Sequence, residues 1–399
     1  MDVSKYSAYD DYKWAVGINQ VILTLCGIWP KNNETKQEKL LSNIRVILML
    51  NILICGCFIP TIHSLFKIWG DIMCMIDNMQ YTLPLFIILI KLSTMWIRKK
   101  DILLLLNMIK DDWLKPKKIK ERDVMKKRAR LARIFTIFGY FMMLVSYILV
   151  VVLPIFGISM RYLTNKTDPD KLTPLQSYYI YDKNKSPFFE VSYIMQSLGL
   201  MVAGVTYSSV DSFFGLLVFH VCGQLENLKM RIIHLDKFKN FEIALSHSVQ
   251  DHIRLIRFIN MIDDIFTLML LSVLLYFGIV FACYGFLLGT MVNQGRNLPV
   301  PRLILIILAS VNSFAHTCLY CAVGEILVTQ CEGVYEAACK YKWYNLDPKK
   351  TKSLMMIMIR ANKPSYLSAG KLFPMTMSTF CNMIKTSGGY ISVLLAHRE

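Results

Sequence analysis

IFTIFGYFMMLVSYILVVVLPIFGISM, residues Ile134 to Met160, carries no charged side chain over 27 positions and follows directly on Arg98 to Arg133, a segment with 14 Lys and Arg. A helix needs about 20 apolar residues to cross the hydrocarbon layer of a bilayer, because every backbone N–H and C=O must be satisfied within the segment. An uncharged run of this length beside a basic block reads as a membrane span whose basic end stays on the cytoplasmic side.

Working outward, six more runs meet the same description. Val46 to Phe66 is uncharged, and Asn78 to Ile97 carries only Lys91, close enough to the end of the run for its stem to snorkel toward the headgroups. Val191 to Val210 is uncharged and its pattern continues past Asp211 to Cys222. Ile265 to Gln294, Leu303 to Gly324 and Leu372 to Ala396 follow, the last with Lys385 inside it. The expected fold class is all-α, a polytopic membrane protein with seven transmembrane helices.

The amino-terminal segment and the even-numbered loops hold 34 Lys and Arg, and the odd-numbered loops with the carboxyl tail hold 9. That asymmetry predicts a cytoplasmic N-terminus and an extracellular C-terminus. Two N-glycosylation triplets, at Asn165 and Asn184, fall together in the third loop, on the side this topology places outside; Pro187 after the second triplet makes it the weaker acceptor. The first 15 residues are acidic and polar where a signal peptide would be basic and then apolar, so the first span is expected to direct insertion. The expected organisation is a cytoplasmic segment over 1–45, spans one to six over 46–324, a cytoplasmic loop with helices over 325–371, and the last span over 372–399.

Composition agrees with a bilayer as solvent: 54% of the 399 residues are hydrophobic and 18% charged. The net charge of +17 lies between long uncharged runs instead of on a soluble face with interleaved aromatics, so no nucleic-acid partner is expected. Twenty-three Met, 22 Phe and 20 Tyr suit lipid-facing and packing surfaces, and equally a small-molecule pocket. Of 11 Cys, only Cys74 is read in an outer loop, so no disulfide framework is implied. Trp14, Val16, Ile18, Val21, Ile22, Leu25, Ile28 and Trp29 fall largely on one helical face and Pro30 stops the pattern, which predicts a helix lying in the membrane interface. Phe241 to Met261 and Ser353 to Ala361 are read as cytoplasmic helices.

No GxGxxG, P-loop, HExxH, GxSxG or paired CxxC is present, so no enzyme activity and no cofactor are expected. His234, His247 and His252 beside Asp251 do not share one helical face and read as surface histidines, not metal ligands. Asp211 is counted to the inner interface, with a solvated or helix-packing role. Lys385, beside Thr386, Ser387, Gly388 and Gly389, should face protein or water, and KTSGGYISVLLAHRE (385–399) suits either close helix packing or a narrow aqueous path.

Three features together resemble the insect odorant receptor family over nearly the whole chain. They are Trp14-Ala15-Val16-Gly17-Ile18-Asn19 leading to Gly27-Ile28-Trp29-Pro30, similar to the tuning receptors of ants, bees and wasps; the inverted seven-span topology with its basic second loop; and Phe373-Pro374-Met375-Thr376-Met377-Ser378-Thr379-Phe380 followed by Lys385-Thr386-Ser387 and Tyr390. Gly388-Gly389 replaces the family's usual aromatic or polar pair, and Ala396 with His397 departs from the co-receptor's glutamine-containing end. The resemblance implies a tuning subunit of a ligand-gated, non-selective cation channel, assembled as a tetramer with the shared odorant receptor co-receptor. It implies a plasma-membrane location in dendrites of olfactory sensory neurons and a volatile odorant as ligand. It places the ligand pocket in the outer half of the membrane, at Tyr81, Leu85, Tyr147, Val151, Met195, Leu198, Leu305 and Ala309. The pore and gate fall on Tyr390, Val393, Ala396 and His397.

Two alternatives share parts of this pattern. A gustatory receptor-type channel has the same topology and works without the co-receptor. A G-protein-coupled receptor also has seven spans, but requires an external N-terminus and lacks its DRY and NPxxY triplets here. A secondary transporter would show two similar halves with broken helices, which the chain does not.

Overall fold

Helix propensity and apolar patterning carry well past the uncharged runs, so the helices are longer than the spans they contain. The computed structural model describes residues 3–157, 171–238, 240–294 and 300–396. In chain order the helices are α1 (Val3–Leu25), α2 (Lys36–Asn51), α3 (Ile59–Lys67), α4 (Ile72–Ile97), α5 (Lys99–Leu114), α6 (Ile119–Tyr147), α7 (Phe188–Ile233), α8 (Phe241–Gln294), α9 (Val300–Lys340), α10 (Pro348–Ala361) and α11 (Met377–Ala396). Six helical stretches among the described residues are long and apolar enough to cross a membrane: Lys36–Lys67, Ile72–Ile97, Ile119–Phe156, Phe188–Ile233, Phe241–Leu287 and Ile307–Asn345. With 20 residues, and so about 30 Å of length, α11 matches the hydrocarbon thickness as a seventh.

At roughly 1.5 Å per residue, α7 with 46 residues and α8 with 54 far exceed one bilayer, and their excess forms a helical bundle beyond it with α1, α5 and α10. α7 is the central element. From Ser208 to Leu225 nearly every side chain is buried, with Phe213, Leu217 and Val221 fully enclosed, because α1, α4, α6, α8 and α9 surround it.

Local signals set the starts and stops. Thr35 caps α2 by a reciprocal pair, its Oγ1 accepting from the Glu38 amide at 3.2 Å and the Glu38 carboxylate accepting from the Thr35 amide at 3.0 Å. Asp71 caps α4 through the Cys74 amide at 3.2 Å. Between α2 and α3 the chain passes through a π-helical stretch, Ile52–Phe58, which brings Cys57 so close to α7 that any side chain at Gly199 would overlap its sulfur.

Several expectations need correction. α1 ends at Leu25, five residues before Pro30, and the chain turns at Gly27, whose φ of +71° and proximity to the Ser42 carbonyl exclude a side chain, so Ile28 and Trp29 lie beyond the helix. Its Ala15, Val16, Asn19 and Leu23 are buried against the bundle, while Trp14, Val21 and Leu25 face outward. The last span does not begin at Leu372. Ser368–Ala369 (β1) pairs antiparallel with Phe373–Pro374 (β2), and α11 starts only at Met377. This hairpin is held to α8 by Asp263, which accepts from the Ser368 amide at 2.6 Å and from Lys371 Nζ at 2.5 Å. Cys74 lies buried in the first turn of α4 instead of in a loop, and all 11 cysteines are free thiols.

Candidate functional site

Two charges read as peripheral from the sequence meet in the protein interior. Lys91 on α4 is 1% exposed and does not snorkel: its Nζ lies 2.5 Å from Asp211 Oδ1, 3.1 Å from the Tyr320 hydroxyl and 3.4 Å above the Tyr207 ring. Asp211 on α7 is 7% exposed, so its role is helix packing, not solvation at an interface. Its second oxygen, Oδ2, stands 3.5 Å from Nε2 of His316 on α9 and has no hydrogen bond of normal length. A lone ammonium or carboxylate would be untenable here; paired, each supplies what the other lost on leaving water.

Above this cluster runs a seam of aromatic side chains between α4, α7, α8 and α9. The His316 ring stacks on Tyr320 at 5.4 Å and packs against Phe277 at 5.8 Å and Tyr207 at 5.5 Å. Tyr207 is within electrostatic reach of Tyr276, Tyr276 of Tyr81, and Tyr284 of both Tyr276 and Tyr81. The Tyr284 hydroxyl closes the series by donating to Gln80 Oε1 at 3.0 Å. Such a seam offers apolar contact to a small ligand and a few hydroxyls to orient it.

The predicted pocket residues fall into two groups. Tyr81 and Leu85 line the α4 side of the seam, and Ala309 packs on α9 beside Ile76, Val280 and Tyr284. Tyr147, Val151, Met195 and Leu198 lie instead where α6, α7 and the π-helical stretch before α3 meet. There the Val151 carbonyl accepts from the Tyr193 hydroxyl at 2.6 Å and Met195 approaches Gly56, while Leu198 is half exposed. Of Leu305, Tyr390, Val393 and Ala396 only the helical backbone is described; Asn165 and His397 lie outside the described residues. Asn184 sits in a turn, its amide donating to Asp182 Oδ1 at 3.1 Å, and Lys385 is exposed on α11.

Over the α7 N-terminus, residues 171–181 fold as a cap. Gln196 fastens it, accepting from the Leu175 amide at 2.9 Å and donating to Ser177 Oγ at 2.7 Å and the Tyr179 hydroxyl at 2.9 Å. At the opposite end of the bundle a second polar network ties α5, α6, α7 and α8. Asp112 is met by Arg254 at 2.7 Å and by His220 Nε2 at 3.1 Å; Arg231 bridges Glu121 and Asp251, each at 2.6 Å. Burial alone would raise the Asp112 carboxyl, but His220, Arg254 and Lys117 outweigh it and hold the group below the ordinary carboxylate range. Burial pushes the Lys117 ammonium down to about 8. His252 is buried beside this network, unlike the exposed His234 and His247, so it is not the surface histidine expected.

The seam's floor escaped sequence reading because Lys91 and Asp211 are 120 residues apart and each was weighed alone. The available signal was the pairing itself: two ionisable residues of opposite sign in spans two and four, which find each other more cheaply than either finds water.

The family model 7tm Odorant receptor matches residues 71–388 of this chain. Odorant receptor 10 of Aedes albopictus is 24% identical over 219 residues, covering 53% of this chain and 57% of that protein. Odorant receptor Or2 of Anopheles gambiae is 22% identical over 220 residues, covering 52% and 57%. The chain thus spans little more than half the length of the curated relatives it matches. The solved structure of the insect olfactory receptor OR5 from Machilis hrabei in complex with eugenol shares the fold over 98% of this chain and 99% of that one, with a TM-score of 0.82 at 16% identity.

Proposed function

Because this chain belongs to the insect odorant receptor family, we propose that it is a tuning subunit that binds a volatile small molecule and gates a non-selective cation channel together with the odorant receptor co-receptor. The observation that supports this reading most is the aromatic seam: an internal, mostly apolar interface shared by four spans, with hydroxyls along it and a polar floor. The Machilis relative binds eugenol, a small aromatic molecule, and a ligand of that size fits the chemistry of such a seam. By the Lys and Arg asymmetry, the α1 end faces the cytoplasm and the 171–187 cap faces outside, so the seam opens from the outer half of the membrane.

An odorant gains mainly by leaving water, at roughly 25 cal/mol per Å² of apolar surface buried. It opens the pore only through a difference in affinity between closed and open states, about 1.4 kcal/mol of which changes their ratio tenfold. The route to the pore runs through α9: Phe314, two residues before His316, meets Phe380 of α11 edge-on at 5.0 Å. α11 then lines the pore, with Tyr390, Val393, Ala396 and His397 at the gate.

The test is whole-cell recording from cells expressing this chain with and without a co-receptor across a chemically diverse odorant panel. Odorant-evoked cation current only with both subunits supports the reading. Current from the chain alone would favour a gustatory-type channel, and unchanged responses after replacing both Tyr81 and Tyr147 with Ala would remove those positions from the pocket.

A further inference from the structure

At the floor of the seam one buried acceptor lacks a donor. Asp211 is 7% exposed and its Oδ1 is fully engaged by Lys91, yet Oδ2 has only His316 Nε2, at 3.5 Å. An unsatisfied oxygen on a buried carboxylate is costly, and natural interiors rarely keep one without a reason. The Lys91 ammonium does not reach it. All three directions of the Lys91 ammonium are taken, by Asp211, by the Tyr320 hydroxyl and by the Tyr207 ring.

His316 is the movable wall. Its side chain is 33% exposed while Asp211 and Lys91 are almost sealed, and it is held by ring stacking instead of by a strong hydrogen bond. One oxygen or nitrogen can sit between them only if the imidazole turns away from Asp211, which its exposed, stacked position permits. That atom would donate to Asp211 Oδ2 and accept from His316 Nε2, while the body of the molecule lies along Phe277, Tyr276 and Tyr207.

We infer that Asp211 and His316 form a polar subsite at the base of the seam that selects ligands ending in a hydrogen-bond donor, a hydroxyl above all, over isosteric ethers and esters. This rests on the seam being the odorant site and goes beyond it by naming the ligand class and the residues that read it. A carboxylate can accept but never donate, so an ether oxygen placed there can accept from His316 yet leaves Asp211 Oδ2 without a donor, where a hydroxyl supplies a charge-assisted hydrogen bond. Discrimination of this kind, by hydrogen bonding a group that the analogue lacks, is far steeper than what shape alone achieves in an apolar pocket.

The experiment compares isomeric pairs of equal size, each alcohol R–CH2–OH against the ether R–O–CH3, on the full chain with the co-receptor. Two variants accompany the wild type: His316→Phe, which keeps the ring stack and removes the nitrogens, and Lys91→Met with Asp211→Leu, which removes the polar floor without leaving a lone charge. The wild type should respond to the hydroxyl member at roughly tenfold lower concentration or less, and the paired variant should lose that preference while still answering the ethers. His316→Phe should weaken the preference partially, since the carboxylate remains. Equal responses within pairs in the wild type, or a preference that survives in the paired variant, would overturn the inference. Should no pair evoke current at all, the gating reading fails separately, and ligand-induced shifts in the melting midpoint of the purified chain decide this one. Greater stabilisation by the hydroxyl member supports the subsite, and equal or absent shifts sink it.

Discussion

Replacing Lys91 with Met leaves Asp211 buried without its counter-ion, and the structure sets the size of the damage. At a separation of 2.5 Å, a pair with an effective dielectric of about 20 attracts by roughly 7 kcal/mol, and desolvation of each ion takes back several kcal/mol. The intact pair is therefore close to neutral against a hydrophobic replacement, whereas removal of one member typically costs about 3–5 kcal/mol. With an unfolding entropy of about 2.1 cal/mol/K per residue over 399 residues, that loss lowers the melting midpoint by roughly 4–6 °C. Adding Asp211→Leu should restore most of it, because the uncompensated charge is then gone. The assay is fluorescence-detected size-exclusion of heated, detergent-solubilised protein for the wild type, both single variants and the double variant. If the double variant melts as low as the sum of the singles, the two residues act independently and the ion-pair account fails.

Gly324→Ala on α9 should abolish surface expression, read by surface biotinylation, since its new methyl would overlap the backbone carbonyl of Met375, which cannot swing aside; a methyl added at Gly388 meets nothing within 4 Å, so Gly388→Ala should raise the melting midpoint of the detergent-solubilised protein. Asp263→Asn should loosen the 368–374 hairpin, which loses the Lys371 ion pair and the charged acceptor for Ser368, at about 2–3 kcal/mol, read as faster proteolysis between Leu367 and Met377. Lys117 carries a pH signature. Its folded pKa lies below the unfolded one, so between about pH 8 and 10.5 the unfolded chain binds the extra proton and this group's contribution to stability rises with pH, while below pH 8 it is flat. Melting midpoints measured across that range should climb in the wild type relative to Lys117→Met; parallel curves would contradict the buried-ammonium assignment.

The spans were legible because bilayer physics imposes a length and an apolar content that a sequence displays openly. Their ends were not. α8 runs without a break from Phe241 to Gln294, so the cytoplasmic helix expected over Phe241 to Met261 and the span expected from Ile265 are one element, with Asp251 and Arg254 on the polar side of its first half. Conversely Pro374, which cannot donate an amide, stands in a β hairpin at what composition marks as the head of an apolar run. For the site, Tyr81 of α4 stands beside Tyr276 on the seam, at a depth that its place on a span indicates. The α6 and α7 positions drifted to another face because depth is readable from a sequence but rotation about a uniform helix is weakly encoded: apolar residues on all sides of α7 erase the stripe that would orient it. Lys91 and Asp211 were each visible as polar exceptions; their pairing, and the presence of His316 beside them, was missing.

Outside-out membrane patches carrying this chain and the co-receptor, perfused with odorant while the pipette contains no guanine nucleotide, test the central claim most directly. The account predicts cation current that begins with odorant arrival and persists through repeated applications, because ligand and pore belong to one assembly. Current that requires guanine nucleotide, or that never appears in the excised patch although intact cells respond, would contradict it.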